Sequence, residues 1–129
     1  YLFNGYLSNL GIESVPPSMA SWSIQTGPVL IKNGQSLNIK TSGDKLARRG
    51  VAITTKNNQQ SFVIFFNSQA LVLGPHLNDL PKIIQKLAET EKFEIKDAIN
   101  LDGGQASAFY DGKLILEESD PVGTILCAK

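Results

Sequence analysis

LPKIIQKLAETEKFEIKDAINLDGG, residues 80–104, contains both kinds of regular structure that this chain can build. Leu80, Ile83, Ile84, Leu87 and Ala88 follow the i, i+3, i+4, i+7, i+8 stripe of a helix with one apolar face. Lys82, Gln85, Lys86 and Glu89 fall on the other face. Asn78 or Asp79 can cap the start, and Pro81 is tolerated in a first turn whose N–H groups lack intrahelical partners. After a charged connection, Ala98-Ile99-Asn100-Leu101 reads as a short strand that delivers Asp102-Gly103-Gly104.

Upstream, Arg49 to Thr55 and Ser61 to Phe66 read as two strands joined through polar Asn57-Asn58-Gln59 as an antiparallel hairpin. Phe62-Val63-Ile64-Phe65-Phe66 is apolar on both faces, which predicts a place in mid-sheet with cover on each side. Asn33-Gly34 follows Val29-Leu30-Ile31 and predicts a tight hairpin, because both turn positions need φ > 0; its partner strand is Ser36 to Lys40. Before this, Tyr1 to Ser23 carries Gly5, Gly11 and Pro16-Pro17 and has room for one or two short strands. Downstream, Ser107 to Tyr110 and Lys113 to Leu116 flank the turn Asp111-Gly112, and Val122 to Cys127 reads as a last strand. The fold class that follows is α+β: a mixed, largely antiparallel sheet with one main helix packed on it.

The 129 residues suffice for one domain with a real core and are too few for two. A hydrophobic share of 42% and a charged share of 19% are those of a globular chain. Twelve basic residues balance twelve acidic ones, which argues against nucleic acid or an anionic membrane as the partner. No apolar run has the length of a membrane span. The single cysteine, Cys127, allows no internal disulfide or cysteine-based zinc cluster and reads as a small buried hydrophobe. His76, the one histidine, sits just before the helix cap, where a structural or solvated role is the usual one.

Three segments can carry chemistry. A strand ending in Asp102 and two glycines puts a carboxylate at a sheet edge beside backbone that can approach a ligand closely, and free N–H groups there can cradle an anion. The alternative is an Asx-turn in which Asp102 caps only its own backbone. Gln25-Thr26-Gly27-Pro28 interrupts an apolar strand run, as a bulge that re-aims side chains or as a plain strand break. Arg48-Arg49 enters a strand with planar forks suited to phosphate or carboxylate oxygens, or simply solvated. Glu117-Glu118 and Asp120 form an acidic turn that normally faces solvent.

In order and spacing these segments resemble the phosphodiester glycosidases, a family that includes N-acetylglucosamine-1-phosphodiester α-N-acetylglucosaminidase and bacterial exopolysaccharide-associated proteins. QTGPVLIKNG, residues 25–34, is similar to the family's Q-[ST]-G-P-x-L-[VL]-x-x-G. Arg48 with Gly50-Val51-Ala52 resembles R-x-[AG]-[VI]-G, and AINLDGGQASAFY, residues 98–110, resembles A-[LI]-x-L-D-G-G-x-S-S-x-x-Y. The likeness runs from about Trp22 to Lys113. Ala52 replaces the usual glycine, Ala106 replaces the first serine, and only Ser107 is kept. The family's earlier block, N-[AG]-G-[FM]-[FY], has no match before Gln25, and Asn4-Gly5-Tyr6 fits it poorly. Together with a chain that opens on Tyr1 without a leader, this makes residues 1–129 look like a single phosphodiester glycosidase-like domain, the C-terminal part of a longer one or a trimmed relative.

The resemblance implies a hydrolase that cleaves glycosyl-phosphodiester linkages in glycans or polysaccharides. Its alternative is a non-catalytic carbohydrate- or phosphate-binding or assembly module of the same fold. By resemblance Asp102 is the essential carboxylate and Arg48 pairs the phosphate. Gly103, Gly104 and Ser107 offer N–H and hydroxyl donors, while Gln25, Thr26 and Gly27 line the opposite wall. A second carboxylate is sought among Asp44, Asp97 and Asp111. No cofactor is identified, and the need for a divalent ion stays open. The implied partners are a glycan or sugar-phosphate substrate and the missing N-terminal half of the same protein; the implied location is outside the cytoplasm.

Overall fold

The computed structural model describes residues 2–6, 9–14, 21–56, 61–67, 73–123 and 125–126. In chain order the elements are β1 (Leu2–Tyr6), β2 (Asn9–Glu13), β3 (Trp22–Gln25), β4 (Val29–Lys32), β5 (Gln35–Ser36), β6 (Arg49–Thr55) and β7 (Ser61–Phe66). Then follow α1 (Leu80–Glu91), β8 (Ile95–Gly103), β9 (Phe109–Tyr110) and β10 (Ile115–Leu116), with 3-10 turns at Leu77–Asp79 and Gly104–Ala106.

Five strands form the main sheet in the order β5-β4-β8-β6-β7, and every neighbouring pair is antiparallel. A second sheet runs β2-β1-β3, and β9 and β10 form a ribbon of their own. This is the α+β architecture expected. The hairpin of β6 and β7 falls where the apolar runs put it, although its connecting loop at 57–59 lies outside the described residues.

Alternation along the central strands gives the sheet two apolar faces. Val51, Ile53 and Ala98 point to one side with Leu30, Leu80, Ile84 and Ala88, so α1 covers that face. Ala52, Ile99 and Val29 point to the other and pack around Ile12 of β2. The second sheet is thereby held against the first, and Lys32 Nζ adds a hydrogen bond of 2.8 Å to the Ile12 carbonyl. Ile95 and Ala98 share a face at a spacing of three because the register slips at Thr54/Thr55, leaving Lys96 as an extra residue.

Helix α1 begins on the 3-10 turn, with Asp79 at its N-cap making no side-chain capping bond and Pro81 in its first turn. It ends where Lys92 adopts φ 58° and the Phe93 N–H reaches back to the Ala88 carbonyl at 3.1 Å, a closing bond of the Schellman type. Phe93 then meets Phe62 edge-on, with centroids 5.1 Å apart.

Four expectations need correction. Strand β7 is an edge strand, paired only with β6, and Val63 is 40% exposed. Its other apolar side chains do find cover on both faces: Phe62, Ile64 and Phe66 pack towards α1, and Phe65 lies against Phe109. The central places go to β8 and β6, and β8 is nine residues long because its charged start, Ile95-Lys96-Asp97, is already paired. The Asn33-Gly34 turn is present, with φ 51° and 78°, but its second strand stops at Ser36. Val122, Gly123, Ile125 and Leu126 belong to no strand, while Thr124, Cys127 and Pro16-Pro17 lie outside the described residues.

Candidate active site

The C-terminal end of β8 gathers the three sequence blocks. On one flank, Gln25 ends β3 as an exposed residue opposite Leu2. Thr26 turns its hydroxyl onto β8, donating to the Asn100 carbonyl at 2.8 Å and to that of Leu101. Asn100 returns two bonds: its Nδ2 donates to the Gly27 carbonyl at 3.0 Å and its backbone N–H to the Pro28 carbonyl at 3.0 Å. Sequence reading passed over Asn100, although an amide in an otherwise apolar strand is a signal that it has a partner. Its Oδ1 is buried with no hydrogen-bond partner among the described residues. Thr26→Val keeps the shape and removes the one hydroxyl proton that the two carbonyls share. It is expected to cost about 1–2 kcal/mol, read from the urea midpoint.

On the other flank the register slips between Gly50 and Val51, whose partners are Asp102 and Asn100. Leu101 is the extra residue of this bulge and packs into the Ile12 cluster. Bulges re-aim side chains at strand ends. Here the bulge sets Asp102 opposite Gly50, where the carboxylate is exposed. Its Oδ1 accepts the Gly103 N–H at 2.6 Å, so the local self-capping reading holds in part. Gly103 is extended and Gly104 takes φ 71°; the Gly104 N–H donates to the Arg48 carbonyl at 2.9 Å. Neither of these glycine N–H groups is therefore open as an anion cradle. Gly103 is required by close approach: a Cβ there would stand 2.7 Å from the Arg48 carbonyl oxygen.

The two arginines diverge, as neighbours on an extended chain must. Arg48 is 4% exposed and its Nε donates to Ser107 Oγ at 3.0 Å and to the Gly104 carbonyl at 3.1 Å. Its Nη2 donates to the Glu117 carbonyl. Ser107 is itself buried and donates its hydroxyl to the Gly104 carbonyl at 2.7 Å. Arg49 lies across Gly103 on the other side and reaches Asp44, with Nη2 3.5 Å from Oδ1.

The three further carboxylates are apart from Asp102 in role. Asp97 is buried, accepts the Asn33 N–H at 2.9 Å and pairs with Lys32 at 3.4 Å, so it holds the β4–β5 turn. Asp111 accepts the N–H groups of Lys113 and Leu114, which hold its pKa below the usual value in an exposed turn. Asp44 is 7% exposed, and its oxygens accept the Leu77 and Asn78 N–H groups at 3.0 and 2.9 Å. It thereby caps the start of the helical segment from a distant loop, a task sequence reading gave to Asn78 or Asp79. Asn78 instead accepts from Thr41. His76 lies beside the same carboxylate at 3.8 Å.

Burial by itself raises the Asp44 pKa, but those two N–H groups, His76 and Arg49 outweigh it and leave the value below 3.8. A carboxyl depressed on folding stabilises the protein fully above its unfolded pKa. That contribution is lost as pH falls from about 3.8 through the folded value. Asp44→Asn is expected to cost about 1–2 kcal/mol at pH 7 and to flatten the acid limb of stability below pH 4, measured by urea unfolding across pH.

Among the described residues no group of three His, Cys, Asp or Glu side chains has the spacing of a metal site, and no helix is long and apolar enough to cross a membrane. The family model described as phosphodiester glycosidase matches residues 9–128. The chain belongs to the phosphodiester glycosidase family. The match takes in β2, whose Ile12 fills the sheet's second face, and the acidic segment beyond β10, both outside the stretch that the sequence motifs covered. No curated protein and no solved structure matches the chain significantly. In a phosphodiester glycosidase, the bulged end of β8 with its exposed Asp102 is the candidate centre.

Proposed function

We propose that this phosphodiester glycosidase domain hydrolyses sugar-1-phosphate diester linkages in glycans or polysaccharides, with Asp102 as the essential carboxylate. One observation carries the reading: segments 25–28, 48–50 and 100–107 converge on the bulged end of β8, where Asp102 is exposed between them. Breaking the bond from the anomeric carbon to the phosphate oxygen develops oxocarbenium character on the sugar. A carboxylate facing that carbon stabilises the charge, and water replaces the phosphomonoester. A phosphomonoester is a weakly basic leaving group, so the site has little need of a strong general acid. Thr26 and Gly27, clamped to Asn100, form the wall beside that carboxylate, and exposed Gln25 extends it.

The reading extends to an extracytoplasmic protein acting on envelope or secreted polysaccharide. The test is release of phosphomonoester from an N-acetylglucosamine-1-phosphodiester by the folded chain, with the longer parent polypeptide assayed alongside. Turnover by either supports the hydrolase. Binding of the diester with no turnover by either supports the second reading, a non-catalytic glycan- or phosphate-binding module. One observation favours that alternative: the N–H groups of Gly103 and Gly104 and the Ser107 hydroxyl are all engaged internally.

A further inference from the structure

We infer that Arg48 is a positioning residue that pins the neck of the segment 104–120 beside Asp102, and that its guanidinium is not the ligand of the substrate's phosphate. The inference deepens the hydrolase reading and rests on it for its kinetic part.

The segment leaves the sheet at Gly104 and returns at Glu117–Asp120, with the β9–β10 ribbon between. Its two ends are tied at the neck. The Gln105 carbonyl accepts the Ser119 and Asp120 N–H groups at 2.9 and 3.2 Å. The Arg48 guanidinium binds the Gly104 carbonyl and Ser107 Oγ on the outgoing side and the Glu117 carbonyl on the returning side. The Arg48 carbonyl also accepts the Gly104 N–H, so one residue holds that turn through both backbone and side chain. A planar fork can serve three acceptors in fixed directions, which an ammonium on a flexible stem cannot reproduce. At 4% exposure, its Nε and Nη2 both donate to the protein's own oxygens. Asp102 is two residues before Gly104, and its exposed carboxylate depends on the path that this turn imposes.

The variants are Arg48→Lys, which keeps the charge and loses the fork, and Ser107→Ala, which removes the hydroxyl that accepts from Arg48 and donates to the Gly104 carbonyl. Two readouts apply to the folded chain. The first is amide hydrogen exchange, which needs no activity. In Arg48→Lys, exchange across 103–108 and 115–120 is expected to rise at least tenfold while β7 stays at the wild-type rate, and in Ser107→Ala to rise less. The second is turnover of an N-acetylglucosamine-1-phosphodiester against a neutral aryl α-N-acetylglucosaminide. A positioning residue lowers kcat on both by the same factor. Unchanged exchange in the neck, or a loss in Arg48→Lys confined to the phosphodiester, overturns the inference. If the wild-type chain turns over neither substrate, the kinetic comparison falls away, and the exchange comparison still decides the role of Arg48. Should Arg48→Lys fail to fold, Ser107→Ala carries the same exchange test.

Discussion

Asp102→Asn is expected to lower turnover of a sugar-1-phosphate diester about 10³-fold, with a melting temperature within about 2 °C of the wild type. The two halves of this expectation come from the same geometry. Asp102 is exposed, and the hydrogen bond drawn to it comes from the adjacent Gly103 N–H, which an asparagine oxygen accepts equally well. The turn therefore survives the change, and what disappears is the negative charge that the proposed reaction sets beside the anomeric carbon. That charge matters most when the sugar becomes cationic, so the loss falls on kcat and leaves binding of the substrate largely intact. Steady-state kinetics with a phosphate-release readout, on variant and wild type of equal melting temperature, makes the measurement. A variant that keeps wild-type kcat would reduce Asp102 to a turn-former and move the chemistry elsewhere on the chain.

How far the site could be read from the sequence depends on the range of the interaction concerned. Local rules carried α1 and the β6–β7 hairpin, because the helical stripe and paired apolar runs express themselves within a few residues. They failed for the position of β7, since Phe62 to Phe66 look the same in mid-sheet or at an edge whose faces are covered by α1 and by Phe109. They failed again at the helix start, where the capping carboxylate is Asp44, more than thirty residues away from the N–H groups it accepts.

The site divides in the same way. Asp102 and its glycines were visible as a strand ending in a turn. The bulge at Leu101 that aims Asp102 was not, because register is a property of two strands. Arg48 was singled out for a charge suited to phosphate, and its burial against backbone oxygens appears only once 104–117 folds over it. Thr26 and Asn100 lie seventy-four residues apart, so the amide in an apolar strand signals that Asn100 has a partner but not which segment supplies it.

Gly74→Ala is expected to destabilise the fold by about 3 kcal/mol, the upper part of the range for overpacking, and to lower the melting temperature by about 10 °C. A Cβ at this position would stand 2.5 Å from the Ala47 carbonyl oxygen, 2.9 Å from the Arg48 Cα and 2.9 Å from the Phe66 carbonyl oxygen. All three atoms are backbone, so no side chain can swing aside, and the approach to β6 and the end of β7 must open. Gly104→Ala supplies the contrast. Gly104 has φ 71° but nothing within 4 Å of its would-be Cβ, so only backbone strain is added, about 1 kcal/mol. Thermal melts of the two variants separate the causes: a larger fall for Gly74→Ala assigns the cost to steric contact, and equal falls would mean that the chain near Arg48 yields easily. The distinction reaches the active site, because the backbone that Gly74 touches is that of Arg48. A shift there displaces the guanidinium that holds the turn after Asp102, so Gly74→Ala is expected to lose turnover below its melting temperature as well.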